Sequence, residues 1–451
     1  MVRHGFRHLL LIITCVITGS VFSPAQTYVS LPELNTKRLL NGLQIIVAPT
    51  PYLDESMAIG LVVRYGSSFD MAYKGGVANL LSRMFMKATV DRTGADIQEE
   101  LAFLGATLDV TCDWDGFRFM LKGDSASFER ALLLLYQVVC EARFSEEDLS
   151  AAKREVLEEL QQTADPRARI YEQFEKRLFR ETTYGRVRKG IPEIVTTMTT
   201  GDIRYFYRRH FSPGDASLLV VGNVPPDQVL QKATRIWGLW IRKDSIPHTF
   251  APAREPDEDI NLIEDDPDSA AVQFIMGNLS PRRSDPLFAN VMLAASILRD
   301  KLRNLLPTSL LTVGLEGRRM PGAFYIQGQA AAGEAIDQIL KIQDAVKEMK
   351  QIPVSAEELA GAQNRIIVEF NNELKTTDGL CRVMMDSELF RLGSNYATAF
   401  PDRIRRCDAD AVRQAARDYF LPGTKIMILR GSVNTLKSDL NRLGEFKRFL
   451  P

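Results

Sequence analysis

The chain of 451 residues is 45% hydrophobic and 25% charged, which excludes extended disorder and leaves enough length for two or more domains with their own cores. Its 56 Lys and Arg nearly balance 57 Asp and Glu without a long run of either sign, so charge gives no reason to expect a nucleic acid or an anionic membrane surface as partner. Five Cys, none in a C-x-x-C spacing, are too few for a disulfide scaffold at this length.

The chain opens as a secretory signal. Arg3 and Arg7 form a basic start, Leu9 to Phe22 carries no charge, and Ser23-Pro24-Ala25 is a small-x-small cleavage site. Residues 1–25 are predicted to be removed, so that the mature chain begins at Gln26 in an exported compartment. A retained membrane anchor would need roughly 20 apolar residues, and this run stops short of that at Pro24. No stable membrane insertion is expected. The four remaining Cys (Cys112, Cys140, Cys381 and Cys407) read as small apolar side chains, most of them buried.

Beyond the signal, Leu43 to Ala48 follows the turn-forming Asn41-Gly42 as a strand, and Ala58 to Tyr65 is a second. Ala131 to Val139 (ALLLLYQVV) has helical spacing suited to a core. Phe144 to Leu149 opens a long helix with Ser145 as N-cap and acids in its first turn. Asp202 to Gly214 reads as a helix stopped by Pro-Gly, and Leu218 to Val224 as an apolar strand. The second half repeats these marks about 210 residues later: Asp259 to Glu264 and Ala271 to Gly277 as strands, Val354 to Leu359 as the capped helix start, then Asp410 to Gly423 and Ile426 to Val433. The prediction is an α+β fold of two homologous lobes, each a mostly antiparallel sheet packed with long helices. The lobes are placed at residues 30–245 and 260–451, with a Pro- and charge-rich linker at 246–259.

Several short runs make the resemblance specific. Leu40-Asn-Gly-Leu43, Tyr65-Gly-Ser67, Tyr184-Gly185 followed by Gly190 and Glu193-Ile194, and the stretch from His210-Phe-Ser-Pro213 to Val220-Val-Gly-Asn-Val224 occur in an order that resembles the insulinase, pitrilysin and mitochondrial processing peptidase family. The resemblance covers nearly the whole chain after the signal. It implies an inverted zinc motif, His-x-x-Glu-His, on the helix after the Gly-Ser strand, whose two His share one helical face while the Glu activates water.

Here Asn79 and Arg83 stand where the two His belong, and Ser82 where the Glu belongs. An amide is a poor zinc ligand, a guanidinium stays protonated and repels the cation, and a hydroxyl lacks the basicity to activate water. The family's third ligand is a Glu about 75 residues downstream, and Glu159 keeps that position, 76 residues after Arg83. An Arg83–Glu159 ion pair in the vacated pocket is one reading; if it is buried, loss of Glu159 alone costs several kcal/mol. A plain helical residue is the other, because Glu369 stands at nearly the same place in the second half. After the signal only His210 and His248 remain, 38 residues apart, and both read as surface or capping residues.

Active relatives also use an Arg and a Tyr of the second lobe to bind substrate. Leu302-Arg303 keeps the Arg, but seven residues on stands Leu310 rather than Tyr; Arg303 reads first as a solvated helix residue among Arg299 and Lys301, and would bind substrate only if another subunit supplied the zinc. The resemblance therefore implies a non-catalytic homologue without zinc, acting in the periplasm as inactive partner of a zinc-bearing family subunit or as a homodimer, with peptide or unfolded polypeptide as ligand. The alternatives are a stand-alone peptide-binding or folding-assistance protein and, least favoured by the ligand chemistry, an active metalloendopeptidase.

Overall fold

The computed structural model describes residues 31–53, 55–162, 165–244, 246–247 and 250–449. The segment read as a signal, its cleavage point and His248 lie outside the described residues. Among these residues no helix is long and apolar enough to cross a membrane.

The first half runs β1 (Asn35–Arg38), β2 (Gln44–Pro49), β3 (Ser56–Val63), α1 (Val77–Met84), α2 (Gly94–Phe103), β4 (Thr107–Cys112), β5 (Phe117–Asp124), α3 (Phe128–Cys140), α4 (Glu146–Gln162), α5 (Pro166–Leu178), α6 (Pro192–Thr197), α7 (Thr200–His210), β6 (Ala216–Gly222) and α8 (Pro226–Trp237). The second half runs β7 (Ile260–Asp265), β8 (Ala271–Leu279), α9 (Phe288–Leu305), β9 (Leu310–Leu315), β10 (Ala323–Ala331), α10 (Ala335–Gln351), α11 (Ala356–Glu373), α12 (Thr377–Phe390), α13 (Tyr396–Arg405), α14 (Ala409–Tyr419), β11 (Ile426–Gly431), α15 (Val433–Leu436) and β12 (Lys447–Arg448).

Two six-stranded sheets result, in the orders β1-β2-β6-β3-β5-β4 and β12-β7-β11-β8-β10-β9. Each is mixed: β2–β6 is parallel in the first, β7–β11 and β12–β7 in the second, and every other pairing is antiparallel. The duplication is plain in this order, with β2, β6, β3, β5 and β4 answered by β7, β11, β8, β10 and β9. The N-caps follow from sequence as well. Ser145 and Ser355 accept from the Asp148 and Glu358 N–H groups at the starts of α4 and α11, while α7 starts before Asp202, on a Thr199–Asp202 capping box.

Alternation along the strands shows how the halves are joined. On β6, Leu218 and Val220 face the core of the first half, whereas Leu219 and Val221 join a core built mainly by the second. That second face is covered by α12, which packs on β3 and β6. Reciprocally α5, from the first half, packs on β8 and β11, where Ile170, Phe174 and Leu178 meet Ile275, Ile426 and Ile428. Each sheet is thus covered on one face by a helix of the other half. Full burial of a side chain such as Phe174 or Leu389 stabilises by about 1.5–3 kcal/mol, so the exchange welds the lobes together. Polar contacts edge both helices: Gln327 donates to the Arg167 carbonyl at 2.6 Å, Arg169 meets Glu264 at 2.9 Å, Lys122 meets Asp378 at 3.1 Å, and Arg64 meets Glu388 at 2.9 Å.

Candidate functional site

Helix α1 carries the three positions singled out in sequence, and its start is fixed by two devices. Gly76 has φ 97°, and a Cβ there would lie 2.7 Å from the Lys189 carbonyl oxygen, so the turn admits only glycine. The buried Asp70 carboxylate accepts from the N–H groups of Gly76 at 2.6 Å and Ala78 at 3.1 Å, satisfying orphan donors of the first turn. Burial pushes this carboxyl up to about 7, against the opposing pull of the two N–H donors and Arg186.

Val77, Ala78, Leu80, Leu81 and Met84 commit the rest of α1 to the core, beside Leu149, Ala152 and Val156 of α4. Asn79 and Arg83, four residues apart, share the remaining part-exposed stripe. Ser82 is buried, and its hydroxyl donates to the Asn79 carbonyl at 2.7 Å, so it serves the helix backbone.

Arg83 does pair with Glu159: its Nη2 lies 2.8 Å from Oε1 and 2.9 Å from Oε2. Lys189 approaches the same carboxylate at 3.3 Å, Arg83 Nη1 lies 3.8 Å from Glu155, and Lys87 meets Glu155 at 2.7 Å. Three cations therefore bracket two carboxylates across α1 and the turn after it, α4 and the segment before α6. Desolvation pushes the Glu159 carboxyl up, but Arg83 and Lys189 outweigh it and hold it below the ordinary range. The pair is not deeply buried: 24% of the Arg83 side chain and 40% of the Glu159 side chain are exposed. The several kcal/mol expected of a buried pair thus gives way to the smaller worth of a solvent-screened one.

Zinc does not fit these residues. The first two ligand positions offer an amide and a guanidinium, and the cation's place beside Glu159 is taken by Arg83. The buried polar atoms left without a hydrogen-bond partner, Asn79 Nδ2 and Arg83 Nε, are both N–H donors, which suit an acceptor and not a metal. Among the described residues no group of three or more His, Cys, Asp or Glu is placed to hold a metal ion.

The corresponding helices of the second half, α9 and α11, hold an ion pair with the signs exchanged. Asp300 on α9 accepts from Arg365 on α11, which also donates to Ser296 at 3.2 Å. Arg303 stands on α9, 70% exposed and 3.8 Å from Asp300, in keeping with a solvated helix residue, and Leu310 begins β9. His210 departs from the surface or capping role expected of it. It is 4% exposed among the rings of Tyr65, Phe69 and Phe206, and burial lowers its pKa to about 4. Sequence reading also passed over Glu155, Lys189, Lys87 and Asp70. The i,i+4 spacing of Glu155 and Glu159 was the available signal for the first.

The sequence model of the insulinase family, peptidase family M16, matches residues 46–190, and that of the M16 inactive domain matches residues 197–366. The chain belongs to peptidase family M16. An M16-type relative described as an uncharacterized zinc protease of Rickettsia felis is 26% identical over 223 residues, covering 49% of this chain and 53% of that protein. The chain spans about half the length of the zinc proteases it matches. Cytochrome b-c1 complex subunit 1 of Homo sapiens is 22% identical over 445 residues, 93% of this chain and 90% of that protein. Among solved structures, a protease from Helicobacter pylori superposes with a TM-score of 0.81 at 17% identity, covering 89% of this chain and all of that one, a likeness of fold. The duplicated sheet-plus-helix lobes are the M16 architecture.

Proposed function

We propose that this M16 homologue is a non-catalytic subunit, which holds no zinc, and that it contributes chamber wall and peptide-binding surface to a heteromeric periplasmic protease whose partner carries the intact motif. The observation that carries the reading is the Arg83 guanidinium, which sits in an ion pair with Glu159 where the family's metal would be held. A scaffold outlives its chemistry when the assembly still uses its shape. Full-length similarity to a protein described as a subunit of the cytochrome b-c1 complex, and partial similarity to mitochondrial-processing peptidase beta subunits, support a role inside an assembly.

The test is gentle affinity purification of the tagged chain from its own cell envelope, with mass spectrometry of stoichiometric partners. Recovery of a relative bearing His-x-x-Glu-His, with peptidase activity only in the pair, is the expected result. Recovery of the chain alone or as a homodimer moves the reading to a stand-alone peptide-binding protein. Chelator-sensitive cleavage by the purified chain overturns both.

A further inference from the structure

Outside the degenerate site, the second half holds a cavity of about 490 Å³ between the approach to α9, the end of α12 and helix α13. Four arginines line it, Arg283, Arg391, Arg403 and Arg406, against one carboxylate, Asp285, which accepts from the Leu287 N–H at 2.9 Å and so serves the chain itself. No carboxylate among the described residues forms an ion pair with any of the four, whereas the neighbouring Arg405 pairs with Asp402 at 2.8 Å.

Two of the four side chains, Arg283 and Arg403, are held against rings before any ligand arrives. The Arg283 guanidinium lies 4.7 Å from the ring centre of Phe288 and 5.1 Å from that of Tyr396, whose hydroxyl it also meets. Arg403 lies 6.0 Å from the same Tyr396 ring, so two permanent charges share one aromatic platform. Arg391 takes φ 55° at the end of α12, a position where glycine is the usual residue, and keeps its long side chain at the rim. Like charges gathered without counter-charges repel, and an anion that enters relieves all of them at once. Guanidinium groups bind phosphate oxygens in a bidentate fork, and several around one small cavity suit a ligand with several oxyanions.

We propose that this cavity binds a compact polyanion of phosphate chemistry through Arg283, Arg391, Arg403 and Arg406. The adjoining cavity, which shares Arg283, Tyr396 and Phe400, carries Glu369, Glu373 and Asp386 beside Arg299, so its balance is acidic where this one is basic. The proposal does not depend on the pseudopeptidase reading.

The test is titration calorimetry of the full chain with sodium tripolyphosphate at low salt. Saturable binding is expected, weakened at least tenfold by Arg403→Ala/Arg406→Ala and by Arg391→Ala alone, and left intact by Arg208→Ala/Arg209→Ala on the basic face of α7. The replaced residues are exposed, and a thermal melt like that of the parent checks the fold of each variant. Sedimentation with phosphatidylglycerol vesicles that is lost in the same variants assigns the phosphate to a lipid headgroup; binding of tripolyphosphate without sedimentation assigns it to a soluble ligand. The proposal is overturned by absence of saturable binding at millimolar tripolyphosphate, by equal loss in the α7 control, or by tighter binding of a hexaglutamate peptide.

Discussion

Arg319 closes on Asp115 twice: its guanidinium donates to the Asp115 carbonyl at 2.8 Å and its own N–H to the Asp115 carboxylate at 3.1 Å. The two residues lie in corresponding hairpin loops, β9–β10 and β4–β5, so the duplicated halves meet loop to loop with opposite charge. Next to them Arg318, 7% exposed, faces the rings of Trp114, Phe179 and Tyr184 and pairs with Glu175 and Glu316. Tyr184 completes the lock by donating to Asp115 at 2.5 Å while accepting from the Met320 N–H at 3.3 Å.

Tyr184→Phe removes that hydroxyl and leaves a buried carboxylate oxygen and a backbone N–H without it. A loss of about 1–3 kcal/mol of unfolding free energy is expected in urea titrations. An unchanged midpoint would mean that the loop contact contributes no stability.

The helix exchange predicts an unequal pair of glycine substitutions. At Gly277 on β8 a Cβ would meet the Phe324 carbonyl oxygen at 2.3 Å and the Phe174 ring of α5 at 2.7 Å. At Gly60 on β3, beneath α12, it would meet the flexible Met385 side chain at 2.8 Å and the Cys381 thiol at 2.9 Å. Gly277→Ala is expected to cost at least the 1–3 kcal/mol or so typical of overpacking, and Gly60→Ala less, because a thioether yields where a backbone does not. Equal melting temperatures for the two variants would contradict the close approach of the Phe324 carbonyl and the Phe174 ring to Gly277.

Glu159→Gln tests the exposure of the Arg83 pair. Screening by water limits its contribution to about 1 kcal/mol or less, in contrast with the 3–5 kcal/mol or so of a buried pair broken on one side. Denaturant titration distinguishes the two ranges, and a cost above about 2 kcal/mol would show the pair to be far better shielded than its geometry.

Much of the fold was legible in the residues. Short apolar runs beside turn residues gave β2, β3, β6, β7, β8 and β11, and Ser145 and Ser355 marked the starts of α4 and α11. The edge strands β4 and β9 went unread although Leu108, Val110 and Cys112 alternate along the first and the second is LLTVGL; both are six residues long and largely part-exposed. The exchange of α5 and α12 escaped too, since an amphipathic helix records that it covers a sheet, not which one. At the site, the family resemblance linked Arg83 with Glu159 across 76 residues by placing both at ligand positions. Lys189 and Asp70 were invisible because a lone Lys or Asp in a loop carries no periodic mark. The aromatic burial of His210 takes one ring, Phe206, from its own helix but two, Tyr65 and Phe69, that only tertiary packing brings up.

Asp70 gives a pH signature. Its carboxyl titrates at about 7 in the fold and at about 3.9 in an unfolded chain. Between these values the folded chain keeps a proton that the unfolded chain releases. Its contribution is therefore fully present below about pH 4 and is lost as pH rises through about 7. Asp70→Asn cannot lose a proton, so its stability relative to the parent should rise by on the order of 3 kcal/mol between about pH 4.5 and pH 7.5. A parent-to-variant difference that stays flat with pH would place the Asp70 carboxylate in its ionised form throughout.

The sharpest prediction rebuilds what is missing. Asn79→His, Ser82→Glu and Arg83→His together restore the family's motif on an α1 whose start is already fixed by Gly76 and Asp70. The same change removes the guanidinium that now neutralises Glu159, leaving that carboxylate facing two imidazoles. Lys189 still approaches Glu159 at 3.3 Å, so the triple variant is expected to bind zinc more weakly than a variant that also carries Lys189→Ala. After dialysis against zinc, elemental analysis should find about one ion per chain in both and none in the parent. Adding Glu159→Gln to the rebuilt background should release it, since two His alone leave the tetrahedral site short of a third protein ligand. A rebuilt chain that melts like the parent yet takes up no zinc would show that α1 and α4 are no longer spaced for a metal, and that the scaffold had drifted along with its ligands.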